Sequence, residues 1–166
     1  MIVAIDFGIT NTDVALSNKS QYKFFSIPSK NANESFIDEI ISLVDIDITE
    51  ISQIVVTGGK SNELNESFKG VNLTKISETD AIGYGTKEIY KIENEPFITL
   101  SCGTGTACIH HQDGQFSYIG GIAVGGGTIS GLSKAILDSS SLEEITDLAL
   151  KGNRKNIDLL LSLIHI

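Results

Sequence analysis

Asp6-Phe7-Gly8-Ile9-Thr10-Asn11-Thr12 sets a carboxylate at the end of an apolar run and follows it with a glycine turn. A carboxylate so placed can hold a hydrated Mg²⁺, and the amides and hydroxyls of the turn can bind phosphate oxygens. The same spelling fits an ordinary hairpin in which Asp6 is a turn residue. A second turn of this kind, Ser101-Cys102-Gly103-Thr104-Gly105-Thr106, offers close backbone approach and threonine donors. A third, Gly120-Gly121-Ile122-Ala123-Val124-Gly125-Gly126-Gly127-Thr128, runs three glycines into a helix. A helix N-terminus with free amides suits a phosphate chain. Three separated Gly/Thr turns favour phosphate binding over turn chemistry alone. Glu78 opens another predicted helix; by position it is most simply a helix-start acid stabilised by the dipole, with catalysis the minority reading.

Other candidate groups carry less. Asp6-Phe7-Gly8 spells the metal motif of protein kinases, but no His-Arg-Asp loop or Gly-rich loop precedes it. His110 and His111 are neighbours on a predicted strand, so they point to opposite faces and cannot jointly grip one metal. Cys102 and Cys108 do not make a disulfide framework and read as two small buried thiols in a reduced cytoplasm. Lys134, Lys151, Arg154 and Lys155 read as solvated helix-end cations. With 21 acidic against 12 basic side chains the net charge is −9, which argues against nucleic acid or an anionic membrane held by bulk charge. The N-terminus lacks the basic and apolar regions of a secretory signal, and no apolar run is long enough to span a bilayer. A phosphate ligand must therefore be held by backbone amides, a metal and a few local cations.

The elements that position these groups follow from periodicity. Residues 2–6, 12–17 and 22–27 read as a meander of three strands, and 34–45 as an amphipathic helix with Phe36, Ile37, Ile40, Ile41 and Val44 on one face. Residues 51–57 and 71–76 read as strands, and 79–92 as a helix burying Ile82, Ile89 and Ile92, although Gly83 and Gly85 weaken it. The pattern restarts after Asn94-Glu95-Pro96: strands at 97–101, 106–112 and 115–119, with Asp113-Gly114 as a two-residue hairpin turn. Gly125 to Gly127 then open a helix with Ile129, Leu132 and Ile136 on one side. Ser141 with Glu144 is a capping box for another helix that runs to Gly152, and residues 157 to the end read as helical. Each half thus begins strand, Gly/Thr turn, strand, turn, strand, helix, as two related lobes around a ligand would.

Taken in order, these motifs resemble the type II pantothenate kinases, the eukaryotic-type and fumble-like enzymes of the actin, sugar-kinase and heat-shock ATPase superfamily. The resemblance is carried by Cys102-Gly103-Thr104-Gly105-Thr106 through the Asp113-Gly114 hairpin to Gly125-Gly126-Gly127-Thr128-Ile129-Ser130-Gly131-Leu132. Glu78-Thr79-Asp80-Ala81 is similar to the family's Glu-x-Asp-Ala, and Thr57-Gly58-Gly59 and Gly152-Asn153-Arg154 through Ile157-Asp158-Leu159 also match. It covers essentially this whole chain, while the family protein continues past residue 166.

This resemblance implies an α/β chain of the actin-like (ribonuclease H-like) ATPase fold, with one full lobe in residues 1–94 and an incomplete second lobe in residues 95–166. The implied reaction transfers the γ-phosphoryl of ATP to the primary hydroxyl of pantothenate, opening coenzyme A synthesis. Glu78 would take the hydroxyl proton as catalytic base, and Asp6 would orient Mg²⁺ through water. Gly8, Thr10, Gly125, Gly126, Gly127 and Thr128 would hold the ATP phosphates; Ser101, Gly103, Thr104, Gly105, Thr106 and Tyr118 would lie at the substrate. A cytoplasmic homodimer with an acyl-CoA effector is implied as well. Two positions depart from the family pattern. The family's first loop reads Asp-x-Gly-Gly-Thr-x-x-Lys, and here Ile9 replaces the second glycine and Asp13 the lysine. An arginine that grips substrate in the family aligns with Tyr118. Two alternatives therefore stand beside the first: an enzyme with another small hydroxyl acceptor, and a non-catalytic nucleotide or acyl-CoA-binding relative.

Overall fold

The computed structural model describes residues 1–18 and 21–153. Alternation along the first strands builds a two-faced sheet. In β1 (Ile2–Phe7), Val3, Ile5 and Phe7 are buried on one face while Ala4 and Asp6 lie on the other. β2 (Asn11–Asn18) and β3 (Gln21–Pro28) continue the meander antiparallel to it. α1 (Glu34–Leu43) is capped by Asn33, whose side chain accepts from the Phe36 amide at 2.8 Å. Phe36, Ile37, Ile40 and Ile41 of α1 form a core with Val3, Ile5, Phe7, Val14 and Leu16.

β4 (Gln53–Thr57) pairs parallel to β1, and Ile54 and Val56 join the same core. Two 3₁₀ turns, Ile48–Glu50 and Ser61–Glu63, flank β4. A short β5 (Ser67–Phe68) forms a hairpin with β6 (Val71–Lys75), which pairs parallel to β4. Neither the 3₁₀ turns nor β5 shows in the hydrophobic pattern, because segments this short have no period to display. The first sheet thus runs β3-β2-β1-β4-β6-β5.

α2 (Glu78–Tyr90) leads to a second sheet, the meander β7 (Phe97–Cys102), β8 (Thr106–Gln112) and β9 (Gln115–Ile122). Asp113 and Gly114 both take positive φ, 53° and 76°, as a primed two-residue hairpin requires. A bulge opposite Cys108 and Ile109 lets β9 run on through Gly120 and Gly121, three residues past the expected end at Ile119. α3 (Gly126–Leu137) and α4 (Leu142–Lys151) follow. Ser141 caps α4 by accepting from the Glu144 amide. Gly152 ends it with φ −71°, so it stops the helix without a left-handed turn. Both halves therefore show the anticipated order of strand, Gly/Thr turn, strand, turn, strand, helix.

Two burial expectations are corrected, since Cys102 is exposed, at the end of β7 where the chain enters the second turn, and so is Ile89 on α2. Ile89 is 74% exposed, and the buried position on α2 is Gly83. α2 contacts the second sheet by its backbone at Gly83, while Ile82 and Ile92 are half-buried. Ile129, Leu132 and Ile136 share a side of α3 and are exposed. The helix expected over residues 157–166, with Arg154 and Lys155, lies outside the described residues. No helix among the described residues is long and apolar enough to cross a membrane.

Candidate functional site

The strand registers bring acidic groups together. Asp6 pairs with Asp13 across β1–β2 and with Thr57 across β1–β4. Directly paired residues share a sheet face, so all three lie opposite α1. The turn after β4 is pressed against this corner. Gly58 has φ +89°, and a Cβ there would stand 2.6 Å from the Phe7 carbonyl oxygen and 2.9 Å from Asp6 Oδ1. Ser61, itself buried, donates its hydroxyl to the Gly58 carbonyl at 2.7 Å and holds that turn.

Asp6 is pushed above the usual carboxylate range, first by partial burial, then by the charges of Glu78 and Asp13. Its residue surface is nonetheless exposed overall, so the desolvation comes from the crowded corner rather than from enclosure. The ion pairs of the described residues, such as Lys30–Glu39 and Lys69–Asp38, involve none of these three carboxylates. Thr57 Oγ1 is buried beside them without a hydrogen-bond partner. No group of three His, Cys, Asp or Glu side chains among the described residues can cage a metal. The donor set fits one carboxylate, Asp6, holding a hydrated divalent cation, which would relieve the crowding of like charge. Glu78 occupies the first position of α2, after the N-cap Ser77, whose hydroxyl accepts from the Asp80 amide at 3.1 Å.

The first turn is tight. A Cβ on Gly8 would meet the Asn11 carbonyl oxygen at 2.5 Å, and Ser29 donates its hydroxyl to the Gly8 carbonyl at 2.5 Å. Ser29 also donates its amide to the Thr10 carbonyl at 3.1 Å. Ser61 and Ser29 support two of the turns from outside the motifs, and no spacing in the sequence marks them. Thr10 Oγ1 lies 3.0 Å from Thr104 Oγ1, a hydroxyl pair that joins the first turn to the second across 94 residues.

The third turn departs from expectation. The Gly126 amide donates to the Gly103 carbonyl at 2.7 Å, so it is not free for phosphate. A Cβ on Gly125 would stand 2.5 Å from the Gly105 carbonyl oxygen, and one on Gly127 would stand 2.9 Å from Thr104 Cγ2. Thr106 donates its hydroxyl to the Val124 carbonyl at 2.8 Å, and Thr128 to the Ala123 carbonyl at 3.1 Å. Glycines of the second and third turns thus let two backbones interlock. Helix geometry leaves the Gly127 and Thr128 amides without intrahelical acceptors. Ser101 pairs with Ala107 on β7–β8, close to this knot. Tyr118 lies on exposed β9 with its hydroxyl folded over Gly121, where a Cβ would stand 2.4 Å from it. A groove of about 610 Å³ runs along the α1-free face of the first sheet, over Ala4, Ala15, Phe24 and Val55, with Asp6, Asp13 and Thr57 also lining it.

A family model described as Fumble matches residues 83–165. The chain is 32% identical to a type II pantothenate kinase of Bacillus anthracis over 163 residues, which is 95% of this chain and 56% of the relative. It therefore spans about half the length of the curated relatives it matches. Among solved structures it is similar to the activator of 2-hydroxyisocaproyl-CoA dehydratase from Clostridium difficile with bound ADPNP, at TM-score 0.65 and 17% identity, over 92% of this chain and 57% of that one. It is also similar to a ROK family glucokinase from Streptomyces griseus in complex with glucose and AMPPNP, at TM-score 0.56 and 11% identity, over 82% of this chain and 62% of that one. The architecture is the actin-like ATPase fold shared with the sugar kinases.

Proposed function

Because this chain belongs to the Fumble family, we propose that it forms the phosphate-handling and catalytic-base part of an ATP-dependent kinase whose acceptor is the primary hydroxyl of pantothenate. The observation that supports this reading best is the Thr10–Thr104 hydroxyl pair, which joins the first two Gly/Thr turns, and Glu78 is near enough to Asp6 for its charge to raise the Asp6 pKa. The bound analogues of the two structural relatives support ATP as donor.

In this reading Glu78 accepts the acceptor's hydroxyl proton as the oxygen attacks. Asp6 would hold a hydrated Mg²⁺, which would supply charge neutralisation on the phosphate oxygens. Gly8 and Thr10 offer an amide and a hydroxyl to the phosphates from one side, and Gly127 and Thr128 offer amides from the other. Gly125 and Gly126 shape that second side through contact with Gly103 and Gly105. Ser101, Gly103, Thr104, Gly105 and Thr106 border the acceptor, with Tyr118 further along β9. Catalysis is then mainly positioning. A cytoplasmic homodimer with an acyl-CoA effector belongs to the same reading; sedimentation and calorimetry with acyl-CoA test those two features.

Transfer of phosphate from MgATP to pantothenate tests the reaction, and Glu78→Gln should lower the rate by roughly 10²–10⁴-fold. Activity unchanged by that substitution removes Glu78 as base. A second reading, a relative with another acceptor or none, draws on Asp13 and Tyr118, which stand where the family pattern carries cations. A panel of hydroxyl acceptors separates these readings, and calorimetry without nucleotide binding removes all of them.

A further inference from the structure

α2 begins on one sheet and rests on the other. At its start the Ile76 amide donates to the Val56 carbonyl at 2.9 Å, one step beyond the β6 ladder, and Ala81 borders the same groove as Val55 and Val56. In its middle, Gly83 sits flush against the ring of Phe116 on β9. A Cβ there would stand 2.2 Å from Cδ1 and 2.5 Å from both Cε1 and Cγ. The Cγ distance matters most, because turning a ring about its own axis leaves Cγ in place.

The ring is also hemmed in. Tyr84 meets it edge-on at 4.8 Å between centroids, and His111 lies against it at 4.9 Å. His111 is 1% exposed, stacks on Phe97 at 4.7 Å, and has Nδ1 3.2 Å from the Glu95 carbonyl oxygen. Close to this contact, Thr99 donates its hydroxyl to Thr86 at 3.1 Å. The helix is therefore seated on the second sheet with no slack at Gly83. The two lobes meet again at the Thr10–Thr104 hydroxyl pair, 3.0 Å apart.

We infer that Gly83 is a positioning residue: its lack of a side chain sets the spacing of α2 against the second sheet, and through it the gap between the Thr10 and Thr104 turns. Carbon contacts relax at about 3.5–4.0 Å, so a methyl group at Gly83 must part helix and sheet by roughly 1 Å. Thr10 and Glu78 stay with the first sheet while Thr104 moves with the second. The hydroxyl pair then opens. That this gap receives a phosphate rests on the function proposed above; the gap itself does not.

The test reads the gap directly. Thr10→Cys and Thr104→Cys are introduced into a chain carrying Cys102→Ser and Cys108→Ser, and oxidised glutathione is added. Two thiols form one disulfide as the glutathione disulfide is reduced to two thiols. Disulfide geometry tolerates little displacement, so Gly83→Ala should slow closure about tenfold and Gly83→Ala with Phe116→Ala should restore the parent rate. Closure as fast in Gly83→Ala as in the parent overturns the inference, and so does failure of the smaller ring to restore it. Alanine is favoured over glycine inside a helix, so loss of closure is not a propensity effect. If Gly83→Ala does not fold, Phe116→Trp applies the same wedge from the sheet side and should slow closure likewise. Calorimetry with adenylyl-imidodiphosphate and Mg²⁺ forms the second arm, on chains that keep Thr10 and Thr104, in which Gly83→Ala weakens binding relative to the unsubstituted parent and Gly83→Ala with Phe116→Ala restores it. Absence of binding by the parent chain counts against the nucleotide reading, while the disulfide rates still decide the role of Gly83.

Discussion

The first sheet closes around α1, with Val3, Ile37, Ile40, Ile54 and Val56 fully buried. In the second sheet Ile109 and His111 are buried, while Ile98, Leu100, Ile119 and Ile122 stand exposed, as do the apolar residues of α3. The turns differ in the same way. Gly8 bends one chain sharply and Gly58 presses on the Phe7 carbonyl, whereas Gly125, Gly127 and Gly105 together let two separate loops touch backbone to backbone. One half is held by a hydrophobic core, and the other by close backbone contacts and the seat of α2. Similar runs of strand, glycine turn and helix thus reach order through different forces.

The largest contrast is expected in the cores. Ile37→Ala should cost about 2–5 kcal/mol, whereas Leu132→Ala on exposed α3 should stay within about 0.5 kcal/mol. Urea unfolding of both variants measures this, and equal losses would remove the contrast. The interlocked glycines come next. Gly125→Ala places a Cβ against two carbonyl oxygens and should destabilise by about 1–3 kcal/mol. Gly131→Ala, with nothing within 4 Å of the new Cβ, should instead stabilise α3 by up to about 1 kcal/mol. Opposite signs in thermal unfolding sharpen the comparison; matching signs break it.

Asp6 gives a pH-dependent test. Its folded pKa is raised above 3.8, so the folded chain holds this proton more tightly than the unfolded one. That contribution is complete below the unfolded pKa and is lost as pH rises through the folded value. Asp6→Asn should therefore raise the melting temperature near neutrality, with the gain shrinking towards pH 4 and below. A gain that is flat with pH would place the crowding elsewhere. The smallest effect is expected at the bridge between the first and second Gly/Thr turns. Thr10→Val removes one exposed hydroxyl pair and should cost about 0.5–1 kcal/mol, measured by denaturant midpoint.

Much of the element order was legible, because residues 2–6 form an apolar run, 12–17 alternate and 34–45 repeat at 3.6. The Asp113-Gly114 turn was legible because so few residue pairs adopt two positive φ values. The family was legible in Cys102 to Thr106 and Gly125 to Leu132. What misled was burial. Ile89 sits at core-like spacing, but periodicity names a face without naming what covers it. Gly126 misled in the same manner: a glycine before a helix suggests a free amide, yet Gly103 supplies an acceptor from more than 20 residues away.

By itself the sequence determined the local pieces of this protein: strand and helix periods, the positions of turns, the two carboxylates Asp6 and Glu78 at element boundaries, and an acidic balance. These depend on neighbours a few residues apart. Only the tertiary structure decided that Asp13 and Glu78 act on the proton of Asp6, that Thr10 meets Thr104, and that Gly83 seats α2 on Phe116. Those relations join residues distant in the chain, and their energies depend on ångström-scale separations that no residue pattern encodes.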